Sequence, residues 1–100
     1  SAGHIVEAHD CYVELDEVHL ATRTLQDAVK RHANSFRLRS KLANWLFDCG
    51  QYSAALPHLE WCHNRRPDIK SIVHRIDLAE TRPDEPMRLV EEPEDAQLVQ

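Results

Sequence analysis

Apolar side chains recur every three or four residues along most of the chain, the spacing of helices that bury one side. The first such stretch runs from His4 to Leu15, with predicted inward positions Ile5, Ala8, Cys11, Tyr12 and Leu15. A second follows Asp16, a candidate N-cap, and continues to Ala33–Asn34. Its inward positions are Leu20, Ala21, Thr24, Leu25, Ala28 and Val29. The pattern therefore predicts two helices before residue 35.

Three further helices are predicted after Asn34. Ser35 is a candidate cap for the third, which ends at Gly50 and turns inward Leu38, Leu42, Trp45 and Leu46. Ser53 would cap the fourth, with Pro57 at the edge of its first turn; its inward positions are Ala55, Leu56, Leu59 and Cys62. Pro67–Asp68 ends it, and Asp68 would cap a fifth helix from Ile69 to about Thr81. The inward positions of this last helix are Ile72, Val73, Ile76 and Ala79.

Composition supports an all-α domain over residues 1–81. The chain has only two glycines, too few for the many tight turns of a β-sandwich or barrel. Its apolar runs are far shorter than the roughly 20 residues needed to span a bilayer, so no membrane partner is predicted. Residues 82–100 hold three prolines and six acids with few large apolar groups. This stretch is predicted to be a disordered acidic tail.

Charge is distributed in three blocks. Residues 1–29 carry one Arg against six acids, residues 30–81 carry nine Lys or Arg against five acids, and residues 82–100 carry two Arg against six acids. The resulting charges are −5, +4 and −4, a balance that argues against nucleic-acid binding. The tail is predicted either to remain solvated or to lie against the basic middle at Arg37–Asp48, helped by Met87, Leu89 and Val90.

One 34-residue stretch, Phe36–Ile69, carries a pattern of small, large and turn residues at fixed places. Ala43 and Ala55 allow two antiparallel helices to approach closely, Gly50 permits a left-handed turn, and Tyr52 covers that turn. The stretch resembles a tetratricopeptide repeat, at the positions occupied by Leu42, Ala43, Leu46, Gly50, Tyr52, Ala55, Leu59, Cys62 and Pro67. Cys62 stands where the family usually has Ala.

The resemblance is weaker on both sides of this stretch. Counting back 34 residues, Asp16 stands where Gly is expected and Val18 replaces the aromatic residue, whereas the apolar positions Ala8, Tyr12, Ala21, Leu25 and Ala28 match. Counting forward, the fifth helix resembles the cap that closes such arrays. The resemblance implies an α-solenoid fragment of antiparallel helix pairs, with about two repeats and a capping helix. Missing N-terminal repeats, self-association or the tail would have to supply additional stability.

A tetratricopeptide-type fold implies a protein-interaction scaffold that binds a partner protein or peptide in a concave groove. The resemblance places on that groove Arg37, Ser40, Lys41, Asn44, Phe47, Asp48, His74 and Arg75. Asn44 matches one residue of the family's carboxylate clamp, but Ser40 stands where the clamp has Lys. What remains is a looser preference for acidic segments. The alternative is a self-associating module, in which Trp61 and the unpaired ends of the array drive dimerisation.

Catalytic and metal-binding signatures are weak. His58 and Cys62 are one helical turn apart and could present two ligands, but no second pair has ligand spacing, and a metal or redox sensor is the more distant alternative. Phosphate loops, catalytic triads and paired carboxylates are missing from the sequence, so no enzyme activity and no cofactor are predicted. The cysteines Cys11, Cys49 and Cys62 lack disulfide spacing, which favours a reducing, cytoplasmic location.

Overall fold

A computed structural model describes residues 1–87, and within them the chain forms five α-helices and no strand, which confirms the predicted all-α class. The helices are α1 (Ala2–Glu14), α2 (Val18–Arg31), α3 (Phe36–Asp48), α4 (Tyr52–Arg65) and α5 (Lys70–Thr81). Each helix packs mainly on the next one along the chain, with α1 also touching α3. Connections of three or four residues reverse the chain between neighbours.

The first residues of the helices repeat every 34 residues. Helices α1, α3 and α5 begin at Ala2, Phe36 and Lys70, and helices α2 and α4 begin at Val18 and Tyr52. The same interval separates their N-caps, because Ser1 and Ser35 accept a hydrogen bond from the third residue after them, and Ile69 occupies the third cap position without such a side chain. The two helix pairs and the fifth helix therefore share one 34-residue repeat of backbone structure.

The turns between paired helices repeat as well. Asp16 has φ 58° and Gly50 has φ 78°, so both occupy the left-handed region. In each turn the residue that follows donates its amide to a carbonyl five residues earlier, at 2.8 Å, the pattern that closes a helix C-terminus. The donor and acceptor pairs are Glu17 to Tyr12 and Gln51 to Leu46.

Three predicted N-caps are wrong. Asp16 closes α1 in a left-handed conformation instead of opening α2, whose cap position is Glu17. Ser53 lies inside α4, which begins one residue earlier, and Asp68 binds the Arg66 side chain while Ile69 caps α5. The helix starts shift because left-handed turns at residues 16 and 50 end one helix and leave only one residue before the next. Pro57 consequently falls in the second turn of α4 rather than the first.

The core confirms the central part of the hydrophobic prediction. Leu42, Leu46, Ala55 and Leu59 are all buried in one cluster. The full cluster of buried residues is Leu25, Ala28, Val29, Leu38, Leu42, Ala43, Leu46, Tyr52, Ala55, Leu59, Cys62, Ile72 and Ala79. Leu20 and Val73, predicted to face inward, are exposed, because the buried positions beside them are Val18 and Ile72.

Helix α1 buries only part of the predicted face: Ile5 and Tyr12 are half-buried, and Ile5 packs against the core. Ala8 and Cys11 are exposed and Leu15 is 68% exposed, whereas His9 is buried. The His9 ring lies edge-on against Trp45, with ring centroids 4.7 Å apart, and its Nδ1 is 3.0 Å from the Ala21 carbonyl oxygen. Because of these contacts, α1 is oriented with His9 toward the core. A pattern of apolar residues cannot predict that a polar side chain is buried there.

The five helices form two layers. The molecule measures 51 × 34 × 18 Å, and 18 Å is the thickness of two packed helices. Ion pairs and hydrogen bonds link α1 to α3 and α3 to α5, so these three helices lie side by side, and α2 and α4 form the other layer. We call the outer side of α1, α3 and α5 the odd-helix face, and the layer of α2 and α4 the even-helix layer.

Residues 82–87 fold back after α5 as a strap over the α3–α4 turn. The Glu85 amide donates to the Gly50 carbonyl oxygen at 2.9 Å, and Gln51 donates its side-chain amide to the Glu85 carbonyl. Asp84 accepts hydrogen bonds from both the amide and the hydroxyl of Ser53, so it serves as the missing N-terminal cap of α4. Residues 88–100 lie outside the described residues, and the prediction of a disordered tail is untested there.

The Asp84 carboxylate is expected to make strap docking sensitive to acid. Hydrogen bonds from Ser53 lower the pKa of Asp84, because they favour the ionised carboxylate. Its stabilising contribution is therefore present above the ordinary aspartate pKa and is lost as the pH falls through the lowered value. The amide proton shift of Ser53, followed by NMR, should titrate with a midpoint below the ordinary value of about 3.9.

The variant D84N is the control for this measurement, since the Ser53 amide should then show no titration in this range. A midpoint at or above the ordinary aspartate pKa would mean that Asp84 does not cap α4 in solution.

Candidate functional site

The predicted groove residues on α3 lie between partners on α1 and α5. Lys41 Nζ is 3.4 Å from Asp10 Oδ1, and Arg75 Nη1 donates to Asn44 Oδ1 at 3.1 Å. Through these contacts α1, α3 and α5 form one continuous polar surface. Asp10 was not predicted, although it lies 34 residues before Asn44 and so occupies the equivalent position in the repeat.

Arg75 is the centre of a small cluster on the odd-helix face. Besides Asn44, its Nη1 approaches Asp48 Oδ1 at 3.4 Å, and its guanidinium carbon lies 4.8 Å from the centre of the Phe47 ring. These contacts with an aromatic ring, an amide oxygen and a carboxylate restrict the guanidinium group of Arg75. The structure thus brings together four of the eight predicted residues: Asn44, Phe47, Asp48 and Arg75.

A pocket of about 180 Å³ opens between α3, α4 and α5, next to this cluster. Its floor is apolar and includes Ala43, Leu59 and Ile72, and its rim carries polar groups of Ser40, Asn44 and Ser71. Phe36, Cys62 and Ile69 complete the lining. The volume suits one aliphatic side chain. Sequence reasoning missed the α5 half of this pocket, because the resemblance assigned only His74 and Arg75 of that helix to the groove.

The remaining predicted residues lie on the same face but outside the Arg75 cluster. Ser40 donates its hydroxyl to the Arg37 carbonyl at 3.1 Å, so it adjoins the start of α3. Arg37 and His74 are exposed and form no ion pair among residues 1–87. Lys41 and Arg75 are paired with acids, so among the predicted Lys and Arg side chains of the groove Arg37 is the one that has no ion pair in residues 1–87.

The two tryptophans lie in different surroundings. Trp45 donates its Nε1 hydrogen to Thr22 Oγ1 at 2.7 Å and packs on His9, so it joins α3 to the first helix pair. Trp61 lies on α4 beneath two guanidinium groups, with the carbon of Arg39 at 4.5 Å and that of Arg65 at 3.7 Å from its ring centre. Both rings are half-buried, so the structure favours a packing role for Trp45 and leaves Trp61 at the surface of the even-helix layer.

Two of the three cysteines, Cys49 and Cys62, have thiols whose pKa is raised. Burial, with a smaller contribution from Asp48, raises the pKa of Cys49 to about 11, and burial also raises the pKa of Cys62. Both thiols are therefore protonated near neutral pH, which opposes nucleophilic attack. Within residues 1–87, no three metal-binding side chains of His, Cys, Asp or Glu are clustered.

None of the helices in residues 1–87 combines the length and the apolar character that crossing a membrane would require. The chain was also compared with known proteins. No family model, no curated protein and no solved structure matches it.

Proposed function

We propose that this chain is a tetratricopeptide-type interaction module that captures a peptide segment of a partner protein on its odd-helix face. The pocket between α3 and α5 carries the proposal, because it combines an apolar floor with a polar rim at residues already assigned to the groove. The 34-residue recurrence of helix starts and left-handed turns supports the repeat family. No catalytic step and no cofactor are part of this function.

The pocket chemistry defines the kind of peptide. One Leu, Ile or Val side chain would fill the apolar floor, and its burial would supply about 1.5–3 kcal/mol. Ser40 and Asn44 at the rim can form hydrogen bonds with the peptide backbone. Arg37 adjoins Ser40 and is unpaired among residues 1–87, so an acidic residue beside the aliphatic anchor would be favoured.

A displayed library of random 12-residue peptides, selected on the immobilised chain, tests the proposal. Enriched peptides should share one aliphatic residue next to Asp or Glu. The variant S40F should weaken their binding by about tenfold or more, a loss of about 1.4 kcal/mol, because the phenyl ring would fill the pocket.

The matched control is A54F, which adds the same ring at an exposed position on α4 and should leave binding unchanged. Circular dichroism verifies that both variants fold. Selection without enrichment, or equal binding by S40F and A54F, would contradict a site in this pocket.

Self-association is the second candidate function, and one observation favours it. Ala8, Cys11 and Leu15 recur on one side of α1 and are exposed, which leaves an apolar stripe at the end of the helix array. A second copy of the chain packed on this stripe would bury it. Sedimentation velocity at increasing concentration separates the two functions, since a chain that stays monomeric would exclude dimerisation through α1.

A further inference from the structure

Whereas the peptide pocket lies on the odd-helix face, a second groove lies on the even-helix layer. It lies between α2 and α4 and encloses about 290 Å³. Val29 and Leu42 form its apolar part, whereas Gln26, Lys30 and His58 provide polar groups. His58 Nδ1 is buried and has no hydrogen-bond partner among residues 1–87.

Positive charge is concentrated beside this groove. Trp61, one turn after His58 on α4, lies under the guanidinium groups of Arg39 and Arg65, at 4.5 and 3.7 Å from its ring centre. Neither arginine pairs with a carboxylate among residues 1–87. The nearest acid along α4, Glu60, is exposed and forms no ion pair with them. Two like charges held so close together favour a bound anion.

The strap leads the chain to the other end of the same groove. Met87, the last described residue, has its Sδ 4.0 Å from Thr22 Oγ1. Thr22, Gln26 and Lys30 follow one another at intervals of four residues, so they share one face of α2. At 1.5 Å per residue, Lys30 lies about 12 Å along the helix from Thr22.

We propose that residues 88–95 of this chain run along the α2–α4 groove and place their carboxylates against Lys30, Arg39 and Arg65. Four acids occur in this segment, at positions 91, 92, 94 and 95. They follow Met87 by four to eight residues, which span about 13–26 Å at roughly 3.3 Å per residue. That reach covers the roughly 12 Å between Thr22 and Lys30.

The apolar residues of the segment fit the same path. Leu89 and Val90 come before the acids and would meet Val29 and Leu42 in the middle of the groove. Tethering supports docking even if each contact is weak, since a short linker gives an effective concentration on the order of millimolar. The segment would then leave the odd-helix face open for a peptide, so this inference does not depend on the proposed function.

The electrostatic state of His58 agrees with this path. Burial lowers the pKa of His58, and the positive charge of Arg39 lowers it further. A carboxylate held beside Arg39 would oppose the second effect. The histidine is therefore a reporter located inside the groove.

Carbodiimide cross-linking of the full chain tests the proposal, because it joins a lysine amine to a carboxylate in direct contact. The chain has three lysines, one on each relevant surface: Lys30 in the groove, Lys41 on the odd-helix face and Lys70 at the start of α5. Both Lys30 and Lys70 are tethered to the acids at positions 91–95, but docking would hold these acids in contact with Lys30 alone, so coupling to Lys30 should exceed coupling to Lys70 on the order of tenfold. High salt should reduce the yield, because these charges lie at the surface.

The Lys41–Asp10 pair, at 3.4 Å, is the internal positive control for the reaction. Mixing unlabelled chains with ¹⁵N-labelled chains distinguishes coupling within one chain from coupling between two copies. Coupling of the acids mainly to Lys41, equal coupling to all three lysines, coupling only between chains, or no coupling while Lys41–Asp10 reacts would each overturn the proposal.

A second measurement uses a full chain neutralised in the segment, E91Q/E92Q/E94Q/D95N. NMR titration of His58 should give a lower midpoint in this variant than in the parent chain, because the nearby negative charge is lost. Equal His58 midpoints would contradict docking in the groove.

Discussion

Replacing Leu59 by Ala is expected to lower the free energy of unfolding by about 2–5 kcal/mol. Leu59 is 1% exposed and belongs to the buried cluster that joins α2, α3, α4 and α5. A two-layer structure has no deeper core to compensate for the cavity. Because small domains have only about 5–15 kcal/mol in total, this loss is a large part of their stability.

Urea unfolding followed by circular dichroism measures the effect, with an unchanged dependence on urea concentration as evidence that the folded state persists. The control is L15A, since Leu15 is 68% exposed and its replacement should change stability by no more than about 0.5 kcal/mol. Similar losses for L59A and L15A would mean that the α3–α4 pair is not the centre of the fold.

Replacing Gly50 by Ala is expected to destabilise the chain by about 1–3 kcal/mol, from two causes. Its φ of 78° is costly for a residue with a Cβ. In addition, a Cβ at this position would lie 2.8 Å from the Glu85 Cβ, so the strap would have to shift. Loss of the strap should appear as changed amide shifts at Gln51 and Ser53, its partners in the turn and in α4.

The equivalent turn at Asp16 provides the matched comparison. There φ is 58°, and the variant D16G should be neutral or more stable by up to about 1 kcal/mol, because glycine removes the strain of the left-handed conformation. Opposite signs at the two positions are the expected result. The double variant G50A/E85G should recover the part of the loss that is due to contact with the strap, and no recovery would assign the whole effect to the backbone.

The central helices were predictable because every level of the pattern agrees there. In α3 and α4 the small residues Ala43 and Ala55, the leucines and Gly50 all occupy the places that helix packing requires. The face of α1 was not predictable, since His9 is polar in any pattern and is buried only because the Ala21 carbonyl and Trp45 receive it. Such a position depends on contacts between helices distant in sequence.

The docking of residues 82–87 and the ion pairs of Lys41 and Arg75 could not be predicted from the sequence for a similar reason. Residues 82–87 have the composition of a tail, but Asp84 and Glu85 find specific hydrogen-bond partners at the turn 31 to 35 residues earlier. The basic middle likewise suggested an open positive groove. Its charge is reduced because Asp10 and Asp48 pair with Lys41 and Arg75, an outcome that requires the register between three helices.

Each helix packs mainly on the helices next to it along the chain, and this arrangement determines where local unfolding begins. In such an array each helix loses only its nearest neighbours when one end detaches, so unfolding can begin at an end without spreading at once. Helices α3 and α4 have neighbours on both sides, and the strap adds bonds across their turn. Their amides should therefore exchange with solvent last, while α1 opens in separate, less costly events.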